Sequence, residues 1–129
     1  MTSTVLIIDD SLTVRMDLDE AFGAANFETI LCATALAART ALTQQMVDLI
    51  VLDVLLPDGD GIELLGELRR TPNAAGAAIL MLSSEAEVAD RIRGLRTGAD
   101  EYVGKPYDAN EVAGRIASLL AASRQSGGS

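Results

Sequence analysis

Three aspartates, two serines and a lysine stand directly after short apolar runs in this sequence. Asp9 and Asp10 follow Val5–Ile8, Asp53 follows Leu49–Leu52, Ser83 and Ser84 follow Ile79–Leu82, and Lys105 follows Tyr102-Val103-Gly104. If gathered, such side chains suit one kind of chemistry. Three carboxylates within a few ångströms repel one another, and without a cation at least one keeps its proton above the ordinary range. A hard divalent ion relieves the repulsion, and an all-oxygen ligand set with room for waters suits Mg²⁺. Such an ion also neutralises oxygens of an incoming phosphoryl group. A lysine ammonium on its flexible stem reaches a carboxylate or phosphoryl oxygen from the far side. Lys105 is the only lysine among 10 basic residues, the rest being arginine. Either this marks a place that needs a compact ammonium rather than a planar guanidinium, or one basic residue in solvent is lysine by chance.

Each of these residues also has a plainer role when taken alone. Ser11 or Asp10 could cap a following helix, Asp53 could open a turn, and Ser83-Ser84 could cap a helix with Glu85, Glu87 and Asp90 in its first turns. The case for a site rests on the set, delivered from four separate apolar runs.

The elements that must position this set are legible in the spacing. Val5–Ile8, Thr29–Cys32, Leu49–Leu52, Ile79–Leu82 and the weaker Tyr102-Val103 are too short for buried helices and suit strands covered on both faces. Between them, Val14, Leu18, Ala21, Phe22 and Ala25 share a helical face. Val88, Ile92, Leu95 and Ala99 form another, and Val112, Ile116, Leu119 and Leu120 a third. Segments 35–46 and 61–70 also read as helices. Alternating β and α units predict a parallel sheet with helices on both sides and right-handed crossovers. Ligands of such sheets bind at the carboxyl ends of the strands, where all the singled-out residues lie. The second run is followed by Ala33 and Thr34, as expected of an outer strand away from the site.

Composition narrows the function further. A chain of 129 residues suits one domain. Its 49% hydrophobic content with only 3% aromatics calls for an aliphatic core. The formal charge of −9, without a basic cluster, argues against direct binding to nucleic acid or an anionic membrane. The single cysteine, Cys32, allows no internal disulfide and reads as a small buried hydrophobe. No secretion signal or membrane span is visible, so a cytoplasmic setting is expected. The absence of histidine excludes a histidine-based triad or zinc site. Asp58-Gly59-Asp60-Gly61 superficially resembles a calcium loop, but Leu56 and Pro57 would take its first positions. It reads instead as the turn into the third helix, its glycines supplying positive φ.

From Thr4 to Ser123 the chain resembles the receiver domains of two-component response regulators. The likeness rests on VLIIDDS, LIVLDVLLPDGDG, ILMLSSEAE and GADEYVGKP, in that order and spacing. It implies a flavodoxin-like α/β fold, a five-stranded parallel sheet in the order 2-1-3-4-5 with helices on both faces. By the resemblance, Asp53 is the phosphoacceptor, taking a phosphoryl group from a histidine kinase, a histidine phosphotransfer protein or a small donor. Asp10, Asp53 and the Leu55 carbonyl would hold Mg²⁺, with Asp9 acting mainly through a water. Ser83 and Lys105 would contact phosphoryl oxygens after transfer, and the Lys105–Pro106 bond would be cis. Tyr102 takes the aromatic switch position, its ring turning inward as Ser83 moves toward the phosphate; the plainer alternative is a half-buried strand aromatic with a wet hydroxyl. Leu55 and Glu85 stand where phosphate lifetime is tuned, and Ser84 borders the pocket. Leu56, Tyr107 and Ser83 replace the commoner methionine, phenylalanine and threonine without removing a required group.

The expected function is therefore a signalling switch, catalysing only its own phosphorylation and dephosphorylation. The surface of the fourth helix, fifth strand and fifth helix would control a downstream target, as a monomer or a phosphorylation-dependent dimer. Two rivals use the same residues: a Mg²⁺-dependent aspartyl-phosphate phosphohydrolase, and a phosphorylation-independent pseudo-receiver that only binds partners. The hydrolase would place its nucleophile after the first strand and would need longer loops. The expected domain spans 1–123, with 124–129 a disordered Ser/Gly tail or linker. Met1 reads as a natural start, and the tail does not read as a natural end.

Overall fold

The structure is a computed structural model that describes residues 2–83 and 88–127. Strands and helices alternate along it: β1 (Thr4–Ile8), α1 (Leu12–Ala24), β2 (Glu28–Cys32), α2 (Ala35–Leu42) and β3 (Leu49–Asp53) come first. They are followed by α3 (Gly61–Leu68), β4 (Ala78–Ser83), α4 (Val88–Thr97), β5 (Glu101–Gly104) and α5 (Ala109–Gly127). The five strands are parallel and lie in the order β2-β1-β3-β4-β5. A two-residue antiparallel ladder, Leu55–Leu56 with Gly59–Asp60, stands apart from the sheet in the loop after β3.

The apolar runs work as the spacing predicts. β1, β3 and β4 are buried at every position, whereas the edge strand β2 is partly exposed. Alternate residues serve opposite faces of the pleat. Val5, Ile7, Leu49, Val51, Leu80 and Leu82 pack with Leu18, Ala21 and Phe22 of α1 and Val112, Ala113 and Ile116 of α5. Leu6, Ile8, Ile50, Leu52, Ile79 and Met81 pack on the other face with Ala35, Ala38 and Leu42 of α2 and Ile62, Leu65 and Leu68 of α3. Cys32 is 4% exposed within this second layer, and burial raises its thiol pKa. Such a thiol is inert packing.

Three features depart from the sequence reading. Ile92 and Leu95, assigned to the buried face of α4, are 44% and 41% exposed, whereas Ala99 of that face is buried, and so is Gly94. The glycines of the 58–61 turn do not supply positive φ; among the described residues that conformation occurs at Gly98 and Asn26. Helix α5 runs to Gly127, past Ser123, into the segment read as a disordered tail. Among the described residues, no helix is long and apolar enough to cross a membrane.

Candidate functional site

Parallel strands bring their carboxyl ends to one edge, and here β1, β3, β4 and β5 end in Asp9-Asp10, Asp53, Ser83 and Gly104-Lys105. The reversal of strand order falls at β1, between β2 and β3, and the carboxylates lie beside it. Asp9, Asp10 and Asp53 each present a carboxylate oxygen within 4.8 Å of the others. Asp9 is fully buried and Asp53 is 6% exposed, while Asp10 faces solvent. Lys105 Nζ lies 3.0 Å from Asp9 Oδ2 and 3.5 Å from Asp53 Oδ2, so one ammonium serves both buried carboxylates. Lys105 therefore reaches both carboxylates from the end of β5.

Local chain chemistry sets each group. The Ser11 amide donates to Asp9 Oδ1 at 2.9 Å, and Ser11 Oγ caps α1 by accepting from the Val14 amide. The Leu55 amide donates to Asp53 Oδ1 at 3.3 Å, and the Leu55 side chain is 62% exposed. The Val54 amide reaches the Leu82 carbonyl of β4, which ties the segment after Asp53 to the sheet. Ser83 is 1% exposed, and its carbonyl accepts from the Lys105 amide at 2.7 Å. The Lys105–Pro106 bond is cis. Tyr102 is buried at 6% exposure on the face covered by α4. Ser84 and Glu85 lie outside the described residues.

Two contributors escaped the sequence reading. Arg15, one turn into α1, donates from Nη1 to the Asp9 carbonyl at 2.8 Å and so fixes the loop that presents the acidic pair. Its signal, an arginine shortly after the two aspartates, does not differ from that of a surface residue. Gly61 is required by close approach: a Cβ there would lie 2.0 Å from the Asp53 carbonyl oxygen, and its amide donates to the Val54 carbonyl at 2.7 Å.

The electrostatics follow from this packing. Burial, and then the neighbouring Asp9 charge, push the Asp53 carboxyl up from 3.8 to about 6 against the pull of Lys105. For Lys105, burial works against the charged form, but its hydrogen bond to Asp9 and the charges of Asp53 and Asp9 outweigh it, and its pKa is raised. An all-oxygen donor set this tight, strained by its own charge, fits a hard divalent cation such as Mg²⁺.

The chain is similar in sequence and fold to known proteins. The family model for the response regulator receiver domain matches residues 5–117. The transcriptional regulatory protein GltR of Pseudomonas aeruginosa is 36% identical over 117 residues, 91% of this chain and 48% of that protein. The phosphate regulon transcriptional regulatory protein PhoB of Escherichia coli is 31% identical over 120 residues, 93% of this chain and 52% of that protein. The chain thus spans about half the length of these curated relatives. Among solved structures, the receiver domain of Francisella response regulator 1452 superposes with a TM-score of 0.84 at 27% identity, covering 93% of this chain and 98% of that one. A CheY-like receiver domain protein from Methanospirillum hungatei matches with a TM-score of 0.90 over 98% of this chain and 99% of that one, and at 23% identity it speaks for the fold alone. The family model covers most of the chain and the sequence likeness agrees with it, and the chain belongs to the response regulator receiver domains.

Proposed function

We propose that Asp53 is the phosphoacceptor of a two-component phosphorelay, in a domain that catalyses only its own phosphorylation and dephosphorylation. The observation that carries this reading is the meeting of one ammonium with two buried carboxylates at the ends of β1 and β3. In the proposed reaction an Asp53 carboxylate oxygen attacks the phosphorus of a phosphohistidine on a histidine kinase or phosphotransfer protein. An O–P bond forms as the donor's P–N bond breaks, and the electron pair leaves with the imidazole. With a small acyl phosphate the broken bond is P–O and the carboxylate departs. Lys105 gives up Asp53 to pair with one phosphoryl oxygen, and the Ser83 hydroxyl donates to another.

Asp10, Asp53 and the Leu55 carbonyl would hold Mg²⁺, with Asp9 acting through a water. Bound there, the ion neutralises charge on the phosphoryl oxygens. Phosphoryl transfer then biases Ser83 and Tyr102 and shifts the surface of α4, β5 and α5 toward a downstream target. Leu55, Ser84 and Glu85 are proposed to tune how long the phosphate survives. The proposed receiver spans residues 1–123 and works in the cytoplasm, as a monomer or a phosphorylation-dependent dimer.

Incubation with acetyl phosphate and Mg²⁺, followed by intact mass, tests the reading. A single Mg²⁺-dependent phosphoryl adduct is expected, absent from Asp53→Asn. An adduct that maps to Asp10 would favour a phosphohydrolase. No adduct, with Mg²⁺ binding also absent by titration, would make the domain an interaction module that never carries phosphate.

A further inference from the structure

Helix α4 sits on the sheet in an unusual way. Among residues 91–97 only Gly94 is buried, while the apolar side chains of Ile92 and Leu95 face outward. A glycine inside a helix costs stability relative to alanine, through backbone entropy and lost propensity. What it secures here is close approach. A Cβ on Gly94 would lie 3.3 Å from Met81 Sδ and 3.5 and 3.6 Å from Cδ2 and Cε2 of the Tyr102 ring. Met81 and Tyr102 are neighbours in the β4–β5 register, so the helix backbone rests on both strands that lead to Ser83 and Lys105.

The helix cannot simply retreat from this seat at its C-terminal end. The Gly98 and Ala99 amides both donate to the Gly94 carbonyl, at 3.1 and 3.0 Å. The Gly98 carbonyl in turn accepts from Nε and Nη2 of Arg69 at 2.9 and 2.5 Å. Arg69 also donates to the Ala77 carbonyl at 2.6 Å and to Asp100 Oδ2 at 2.9 Å, and Asp100 Oδ2 accepts from the Ile79 amide at 2.8 Å. The guanidinium thus fastens the end of α4 to the end of α3 and to the start of β4.

We infer that Gly94 is a positioning residue for Tyr102: it seats α4 on the ring, with the Arg69 clasp as fixed end, so that displacement of the ring is passed to α4. This deepens the proposed switch and rests on it for its signalling role, while the mechanical seat stands on the geometry alone. A methyl group at position 94 would meet the ring in ordinary contact and press only on Met81 Sδ, the flexible end of the side chain beside the ring, so Gly94→Ala folds and changes how Met81 packs against Tyr102.

The chain has two tyrosines, and Tyr107 packs on the opposite face of the sheet from Tyr102. Incorporation of 3-fluorotyrosine in a Tyr107→Phe background therefore gives one ¹⁹F resonance, from Tyr102. Gly114, within α5, is the matched control, because nothing lies within 4 Å of its added Cβ. Gly114→Ala should raise the melting temperature by roughly 3–6 °C through helix propensity and leave the resonance in place. Gly94→Ala should move the resonance before any phosphorylation and gain less stability than the control. A Gly94→Ala protein that keeps the wild-type resonance and gains as much as Gly114→Ala overturns the seat. With acetyl phosphate and Mg²⁺, the wild-type resonance should shift and the Gly94→Ala shift should differ in size. A wild-type resonance indifferent to a phosphoryl adduct proven by mass overturns Gly94's part in signalling and the switch role of Tyr102. The seat itself is then judged by the unphosphorylated spectra.

Discussion

Asp53 carries the sharpest conflict between folding and function in this protein. Burial and the Asp9 charge push its carboxyl up from 3.8 when free to about 6 in the fold. Between those values the folded chain holds a proton that the unfolded chain has released. The stability this group contributes is therefore fully present below the unfolded value and is lost as pH rises through the folded one. Asp53→Asn lacks the titrating group. In urea unfolding with a chelator present, the mutant should match wild type near pH 4 and exceed it near pH 7. A difference that stays flat across that range would mean that burial and the Asp9 charge do not hold a proton on Asp53 in the fold. The identities of these residues were legible because each follows an apolar run, and strand ends converge whenever a sheet is parallel. Arg15 and Gly61 were not legible, since their roles depend on backbone atoms that only the fold brings near.

The same contrast separates the elements. Strands β1, β3 and β4 were legible because burial on both faces leaves an uninterrupted apolar run. Helix α4 was legible as a helix, but Ile92 and Leu95 were misplaced because periodicity finds large apolar residues, whereas a close contact of this helix with the sheet is made through a glycine. The loop after β3 shows another non-local device. Asp58 accepts from the Ala35 and Leu36 amides at 2.8 and 3.0 Å, capping α2 from a distant part of the chain, while Thr34 caps it locally through the Ala37 amide. These two amides hold the Asp58 carboxyl below its usual range. Asp60 caps α3 through the Ile62 amide and pairs with Arg93 of α4 at 2.5 Å. The acidic turn that mimics a calcium loop is thus a junction of three helices. Asp58→Ala should speed amide exchange at Ala35 and Leu36 severalfold and leave the Ile62 cap unchanged. Equal protection in mutant and wild type would show that Thr34 alone holds the start of α2.

At the scale of the molecule, a chain of charge −9 concentrates three carboxylates at one sheet edge and offers them a single ammonium. The fold tolerates this because its two aliphatic layers bury nearly all of β1, β3 and β4, which leaves stability to spend at the rim. A cation that binds only the folded site should return part of it. At Mg²⁺ tenfold above its dissociation constant, mass action gives about 1.4 kcal/mol, growing with the logarithm of concentration. A polyanion also responds to Mg²⁺ through general screening, so the measurement needs two controls. Sodium chloride at matched ionic strength should give a smaller rise in melting temperature. Asp10→Asn, which removes an exposed carboxylate without disturbing the buried pair, should lose most of the Mg²⁺-specific gain. If Asp10→Asn and wild type respond alike, the gain comes from surface charge in general, and the three aspartates are not a metal site. If only wild type responds, the repulsion that destabilises the resting fold is also what draws the ion to it.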